Sequence, residues 1–182
     1  MRSRCSSRIT IALLCGMMLC LPVRAGAASQ PEYQVKAAFL FNFARYTVWP
    51  PGKFAAADSP VQFCVLDNDA FAAALEETLQ GKIIGGRALA VRRAARADEL
   101  RGCHVAYVGA LAPPARIAAA LGTLVGSGTL SVYEGDDTQR SGGIRFFLDE
   151  RKVRFEINTG ATSRENLELN SRLLNVATVV QK

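Results

Sequence analysis

The chain is poor in the residues that most often carry chemistry. Of its 182 residues one is histidine, His104, and one is tryptophan, Trp49. A lone histidine excludes a multi-histidine metal centre, and two cysteines beside it make a poor zinc set. There is no GxSxG elbow and no GxxxxGK[ST] loop. Gly81-Lys82-Ile-Ile-Gly85-Gly86 has its lysine ahead of the glycines and lies between a helix and a strand, the wrong order for a phosphate loop. His104 adjoins Cys103 in a predicted strand, where neighbouring side chains point to opposite faces, so the two form no nucleophile pair. No apolar run reaches the roughly 20 residues that span a bilayer. No repeat and no long low-complexity segment occurs.

The longest apolar run, Ile9 to Leu21, follows Arg2, Arg4 and Arg8 and precedes Ala25-Gly26-Ala27. That is the three-part pattern of a cleavable secretion signal of bacterial style, with cleavage expected after Ala27 and the periplasm as destination. Leu14 and Leu19 precede Cys15 and Cys20 where a lipoprotein signal needs a small residue. Residues 28–182 then make one domain, long enough to bury a core. Without residues 1–27 the formal charge falls from +6 to +2, because Arg2, Arg4, Arg8 and Arg24 leave. The basic balance therefore belongs to the signal and gives no support for a nucleic-acid partner.

Cys5, Cys15 and Cys20 leave as well, so Cys64 and Cys103 remain. An even pair in an oxidising compartment argues for a disulfide, and two buried thiols are the alternative. The bridge would close a loop of about 40 residues and contribute about 4 kcal/mol in the chain-entropy model. The pair is not CxxC, which argues against a thioredoxin-type site.

What is abundant is aromatic residues at one place. Residues 33–50, YQVKAAFLFNFARYTVWP, hold six of the fourteen aromatics. Val35, Ala38, Phe39, Phe43 and Tyr46 repeat at helical spacing, and Leu40, Phe41, Ala44 and Val48 fill the other side. A helix apolar all round is covered on more than one side, by its own domain or by a partner, which leaves room for a homodimer.

Val61–Leu66 reads as a buried strand, Ala70–Gln80 as a helix entered through Asp67-Asn68-Asp69, and Arg87–Arg93 as an edge strand. Asp98–Arg101 forms a short turn. Gly102–Val108 is a second buried strand, residues 113–125 a helix opened by two prolines, and Thr129–Tyr133 a further strand. Ile144–Leu148 and Val153–Ile157 flank Asp149-Glu-Arg-Lys152 as a β-hairpin. Helices are predicted over about 160–167 and over Ser171–Val180. Alternating strands and helices predict an α/β fold: a three-layer, doubly wound, Rossmann- or flavodoxin-like sheet, mostly parallel, extended by the C-terminal antiparallel hairpin. The flavodoxin-like order sets the strands of Cys64 and Cys103 side by side, within disulfide reach.

Two surfaces attract attention. Asp67, Asp69, Glu134, Asp136 and Asp137 fall at strand C-termini, where such sheets bind ligands, though caps and turns account for them equally. On the hairpin, an outward Phe146 beside Glu156 would give a mixed apolar and charged patch typical of binding surfaces; if helices cover both sheet faces, the phenylalanines are core instead. Phe41 and Tyr46 on the first helix complete the set of interface candidates. No catalytic residue, metal ligand or cofactor site emerges.

Tyr33–Pro50, the FCVL of Phe63–Leu66, the GCHVAYVG of Gly102–Gly109 and the GGIRFFLDERKVRFEIN of Gly142–Asn158 together resemble the YfiR-like proteins over essentially residues 33–180. Cys64 and Cys103 occupy that family's paired-cysteine positions. A second pair near the final hairpin, present in some members, is absent here. The resemblance implies a non-enzymatic periplasmic regulator that represses an inner-membrane diguanylate cyclase through its periplasmic sensor region. It also implies an outer-membrane lipoprotein that can sequester the repressor, so that cyclic di-GMP rises and biofilm is favoured. A periplasmic small-ligand-binding or transport-accessory protein is the alternative.

Overall fold

The computed structural model describes residues 29–135 and 142–181, with side chains to residue 178. The proposed signal and the candidates Asp136 and Asp137 lie outside the described residues.

Helix α1 (Gln30–Arg45) opens the domain, with Pro31 in its first turn where a missing N–H costs nothing. Its buried stripe is Tyr33, Lys36, Ala37, Leu40, Phe43 and Ala44. This is one face at three- and four-residue spacing, so the helix is not apolar all round its contacts. Val35 and Ala38, expected on the packed side, face outward. The helix stops at Tyr46, and β-branched Thr47 and Val48 continue as a short strand, β1 (Thr47–Val48), where the sequence had suggested continuous helix. Pro50 beyond it disfavours helix for the residue before it.

Strand β2 (Val61–Leu66) leads to α2 (Asp69–Leu79), whose N-cap Asn68 accepts a hydrogen bond from Phe71 N at 3.0 Å. A tight hairpin, β3 (Ile83–Ile84) and β4 (Arg87–Ala94), turns through Gly85 and Gly86, both with positive φ. A 3-10 turn (Ala97–Leu100) precedes β5 (Val105–Val108), α3 (Pro114–Leu124) and β6 (Leu130–Glu134). The hairpin is β7 (Ile144–Asp149) and β8 (Lys152–Asn158), joined by Glu150 and Arg151, both at positive φ. Two successive positive-φ residues give the twist that suits a two-residue hairpin turn. Asn158 caps α4 (Thr159–Arg164), accepting from Ala161 N at 2.9 Å.

The C-terminus corrects the predicted helix over 171–180. Strand β9 (Glu168–Leu169) pairs with β1, α5 (Ser171–Leu174) makes one turn, and β10 (Val179–Gln181) runs parallel beside β8. β8 has an open edge, Thr178 N donates to Phe155 O at 2.9 Å, and the β-branched Thr178-Val179-Val180 suits a strand.

The described strands form one eight-stranded sheet in the order β10-β8-β7-β6-β5-β2-β4-β3 and a two-stranded ribbon of β1 and β9. The core β4-β2-β5-β6-β7 is parallel; β7–β8 and β3–β4 are antiparallel. This is the doubly wound α/β architecture with a C-terminal hairpin. The chain reverses direction of growth between β2 and β5. Alternation sorts the side chains: Phe63, Val65, Tyr107, Val132, Ile144, Phe146, Phe155 and Ile157 pack with α1 and α2. Cys64, Leu66, Ala106, Val108 and Tyr133 pack with α3 and Leu100 on the other face. Helices on both faces explain why the central strands read as continuous apolar runs.

Candidate interaction surface

Cys64 in β2 and Cys103, just before β5, are joined by a disulfide with Cα atoms 6.0 Å apart. Both are buried in the layer beneath α3. The bond ties two adjacent parallel strands where the winding reverses.

The carboxylates at the strand ends are engaged separately. Asp67, held at φ 50°, pairs with Arg116 of α3. Asp69 lies 3.4 Å from Arg93, which also bonds Glu76 at 2.9 Å. Glu134 faces inward: its Oε2 is 2.7 Å from Lys36 Nζ, and it accepts a hydrogen bond from the Tyr107 hydroxyl. Lys36 also pairs with Glu32 one turn back. Burial, with the Glu134 charge beside it, pushes the Tyr107 phenol well above its usual range. These acids do not converge, and among the described residues no His, Cys, Asp and Glu cluster has metal-binding geometry.

His104 is wedged between Phe54, stacked at 4.2 Å, and the edge of Trp49 at 5.7 Å. Its Nδ1 accepts the backbone N–H of Gln62 at 3.0 Å. That bond puts the proton of the neutral ring on Nε2, which is buried without a hydrogen-bond partner. Burial, followed by the Lys53 and Arg87 charges, lowers its pKa to about 4. The ring is a packing element under the 50–60 loop, held down by Arg87 lying over Phe54 at 3.9 Å.

The hairpin register decides the interface candidates. Asp149 pairs with Lys152, Phe147 with Arg154, Phe146 with Phe155 and Arg145 with Glu156. Phe146 therefore shares its face with Phe155, not with Glu156. It is 1% exposed and lies against Phe43 with ring centroids 5.6 Å apart, so it offers nothing to a partner. The residue that stands beside Glu156 on the other face is Phe147, half-buried, with Arg145 5.1 Å over its ring. Arg145 Nε donates to Glu156 Oε1 at 2.6 Å, while Arg154 is exposed beside Asp149. The result is a patch of one aromatic and two arginines against two acids. The predicted strands Ile144–Leu148 and Val153–Ile157 already imply this register, in which Phe146 faces Phe155.

Phe41 on α1 and Tyr46 just past its end are half-buried, each with a cation near its ring, Lys82 at 5.6 Å and Arg45 at 5.8 Å. They do not adjoin one another at the hairpin. What does adjoin the hairpin is the start of α1. Pro31, Val35, Phe39, Leu148 and Val153 line an open groove of about 560 Å³ with Glu32, Arg151 and Lys152 at its rim. Val35 is 45% and Leu148 57% exposed, large apolar side chains left in water at one place. No feature of the sequence showed this groove, because it depends on how α1 crosses the hairpin.

No described helix is long and apolar enough to cross a membrane. Among solved structures, the chain is similar to a conserved domain protein from Vibrio cholerae O1 biovar eltor str. N16961, with TM-score 0.55 and 11% identity. The match covers 82% of this chain and 60% of that one, so the chain spans less than two thirds of its length. At that identity the likeness is one of fold. No curated protein matches the chain. Residues 33–178 match the family described as DUF4154, YfiR/HmsC-like. Aromatic first helix, paired cysteines and terminal hairpin all fall inside that span, and the chain belongs to the YfiR/HmsC-like family.

Proposed function

We propose that this protein is exported by cleavage after Ala27 and acts in the periplasm as a non-enzymatic repressor of an inner-membrane diguanylate cyclase. Membership in the YfiR/HmsC-like family supports a periplasmic regulatory role. The observation that carries the reading is the unpaired apolar surface at the hairpin, with exposed Leu148 and Val35 flanking the groove and Phe147 with Glu156 on the reverse face. Such a surface acts through preference for one state of its target. A regulator shifts a two-state sensor only by its difference in affinity for the states. Moving the sensor from mostly active to mostly inactive takes about 5.5 kcal/mol of that difference. Burying a few apolar side chains in one state alone is of the right order. Release follows when a competitor, in this reading an outer-membrane lipoprotein, occupies the same surface.

The test is deletion in the native host, with cyclic di-GMP measured directly. The level is expected to rise and to return on complementation with the wild-type gene but not with Phe147→Ala/Leu148→Asp. An unchanged level with an intact cyclase present ends the repressor reading.

A further inference from the structure

The sheet has an unfinished edge. Strand β4 pairs with β2 along Leu89 to Ala94, but on its other side β3 reaches only Arg87 and Ala88. Backbone direction follows from three bonds. Gln62 N donates to His104 Nδ1 and Gln62 O accepts from His104 N, so the even residues of β2 turn towards β5. Asp67 N donates to Ala94 O, so the odd residues of β2 meet the even residues of β4. Leu89, Val91 and Arg93 must then direct their N–H and C=O groups to the open side. An exposed row of this kind is a template for another strand.

The ground beside that edge is shaped to receive side chains. A cleft of about 400 Å³ runs between β4 and α2, lined by Leu79, Ile83, Leu89 and Val91, with Lys82 and Glu76 at its margin. Ile83 is 66% exposed. Glu76 is committed to Arg93, whereas Lys82 has no carboxylate partner among the described residues. On the opposite face of β4, Arg92 donates to the carbonyls of Glu99 and Arg101 and has no carboxylate against it either. Neighbouring residues of paired strands share a face. A strand laid along Leu89–Arg93 would thus place alternate side chains in the apolar cleft and the intervening ones beside Arg92.

We propose that the open edge of β4 is a β-augmentation site for an extended segment of a partner protein in which apolar residues alternate with acidic ones. Main-chain bonds to Leu89, Val91 and Arg93 supply the pairing, the cleft under α2 selects the apolar side chains, and Arg92 on the other face selects the acidic ones. Uncompensated arginine and lysine at the edge favour an acidic partner over a second copy of this chain, which would bring the same cations. The site lies across the sheet from the hairpin and stands independently of the regulatory reading above.

The test uses the mature protein with the peptides Val-Glu-Val-Glu-Val and Val-Lys-Val-Lys-Val, capped at both ends, and reads amide hydrogen exchange by NMR. The acidic peptide is expected to slow exchange at Leu89, Val91 and Arg93 about tenfold or more, with the basic peptide without effect. Val91→Pro removes one edge N–H while sparing the bonds to β2, and abolishes the protection. Arg92→Glu reverses the charge preference, an arm that decides the matter if the proline variant fails to fold. Equal protection by both peptides, or protection elsewhere only, overturns the proposal. So does protection of these amides that grows with protein concentration in the absence of peptide, which would give the edge to a second copy.

Discussion

The Lys36 ammonium lies 2.7 Å from Glu134 Oε2, joining the first helix of the domain to the far end of β6, 98 residues later. The lysine side chain is 2% exposed and the glutamate 14%. A lysine in the middle of the buried stripe of α1 is tolerable only because two carboxylates receive it, Glu134 and Glu32, and the Tyr107 hydroxyl closes the group. Removing one member of such a pair leaves a buried charge. Lys36→Ala is expected to cost about 3 kcal/mol or more in urea denaturation. Lys36→Met/Glu134→Gln, which removes both charges, is expected to recover most of the loss. A double variant as unstable as the single one would mean that the pair itself, not the stranded charge, carries the stability.

Phe146 and Phe147 separate folding from recognition. Phe146→Ala empties a site among Phe39, Phe43 and Phe155 and is expected to cost about 3–5 kcal/mol. Phe147→Ala on the solvent-facing side is expected to change stability by about 1 kcal/mol or less. Thermal melts of the two variants check this, and the reverse ranking would refute the hairpin register.

The disulfide spans 39 residues of sequence. Replacing both cysteines with alanine is expected to lower unfolding free energy by about 4 kcal/mol, chiefly by freeing the unfolded chain. A non-reducing gel of thiol-blocked periplasmic extract identifies the bonded form, and equal denaturation midpoints for wild type and variant would deny the bond a stabilising role.

His104 ties stability to acidity. Burial lowers its pKa to about 4 in the folded protein from the ordinary 6.5 of a solvated imidazole, so between those values the unfolded chain binds the proton that the folded one refuses. Stability from this group is therefore complete above pH 6.5 and is lost as pH falls towards 4, by up to about 3 kcal/mol. Protonation at Nδ1 also breaks the bond from Gln62 N. As His104 is the only histidine, the slope of unfolding free energy between pH 6.5 and 5 isolates it, and His104→Asn is expected to flatten that slope. An unchanged slope in the variant assigns the effect to carboxylates.

The architecture was legible because its signals are local and agree with one another. Strands β2 and β5 are short apolar runs, α3 is announced by Pro113 and Pro114, and Asn158 caps α4 as its position in the sequence indicates. What the sequence concealed depends on partners far along the chain. The buried stripe of α1 runs through Lys36, which a pattern of apolar residues cannot include, and its burial becomes intelligible only with Glu134 opposite. Val179 and Val180 suit either a helix end or a strand, and the vacant edge of β8 decides for the strand. Setting Phe146 beside Glu156 conflicts with the predicted strands, which already place it opposite Phe155; what the sequence did not show is that α1 covers that face.

The aromatic row of α1 has a consequence for the order in which this chain can fold. Phe39 and Phe43 find their stacking partners in Phe146 and Phe155, with Phe43 and Phe155 ring centroids 4.8 Å apart. A chain that emerges N-terminus first presents that row long before its partners appear. The domain cannot close until they arrive, which leaves an interval in which a sticky helix waits uncovered. Chains halted at residue 140 would show it, their first helix remaining open to protease until the last forty residues arrive.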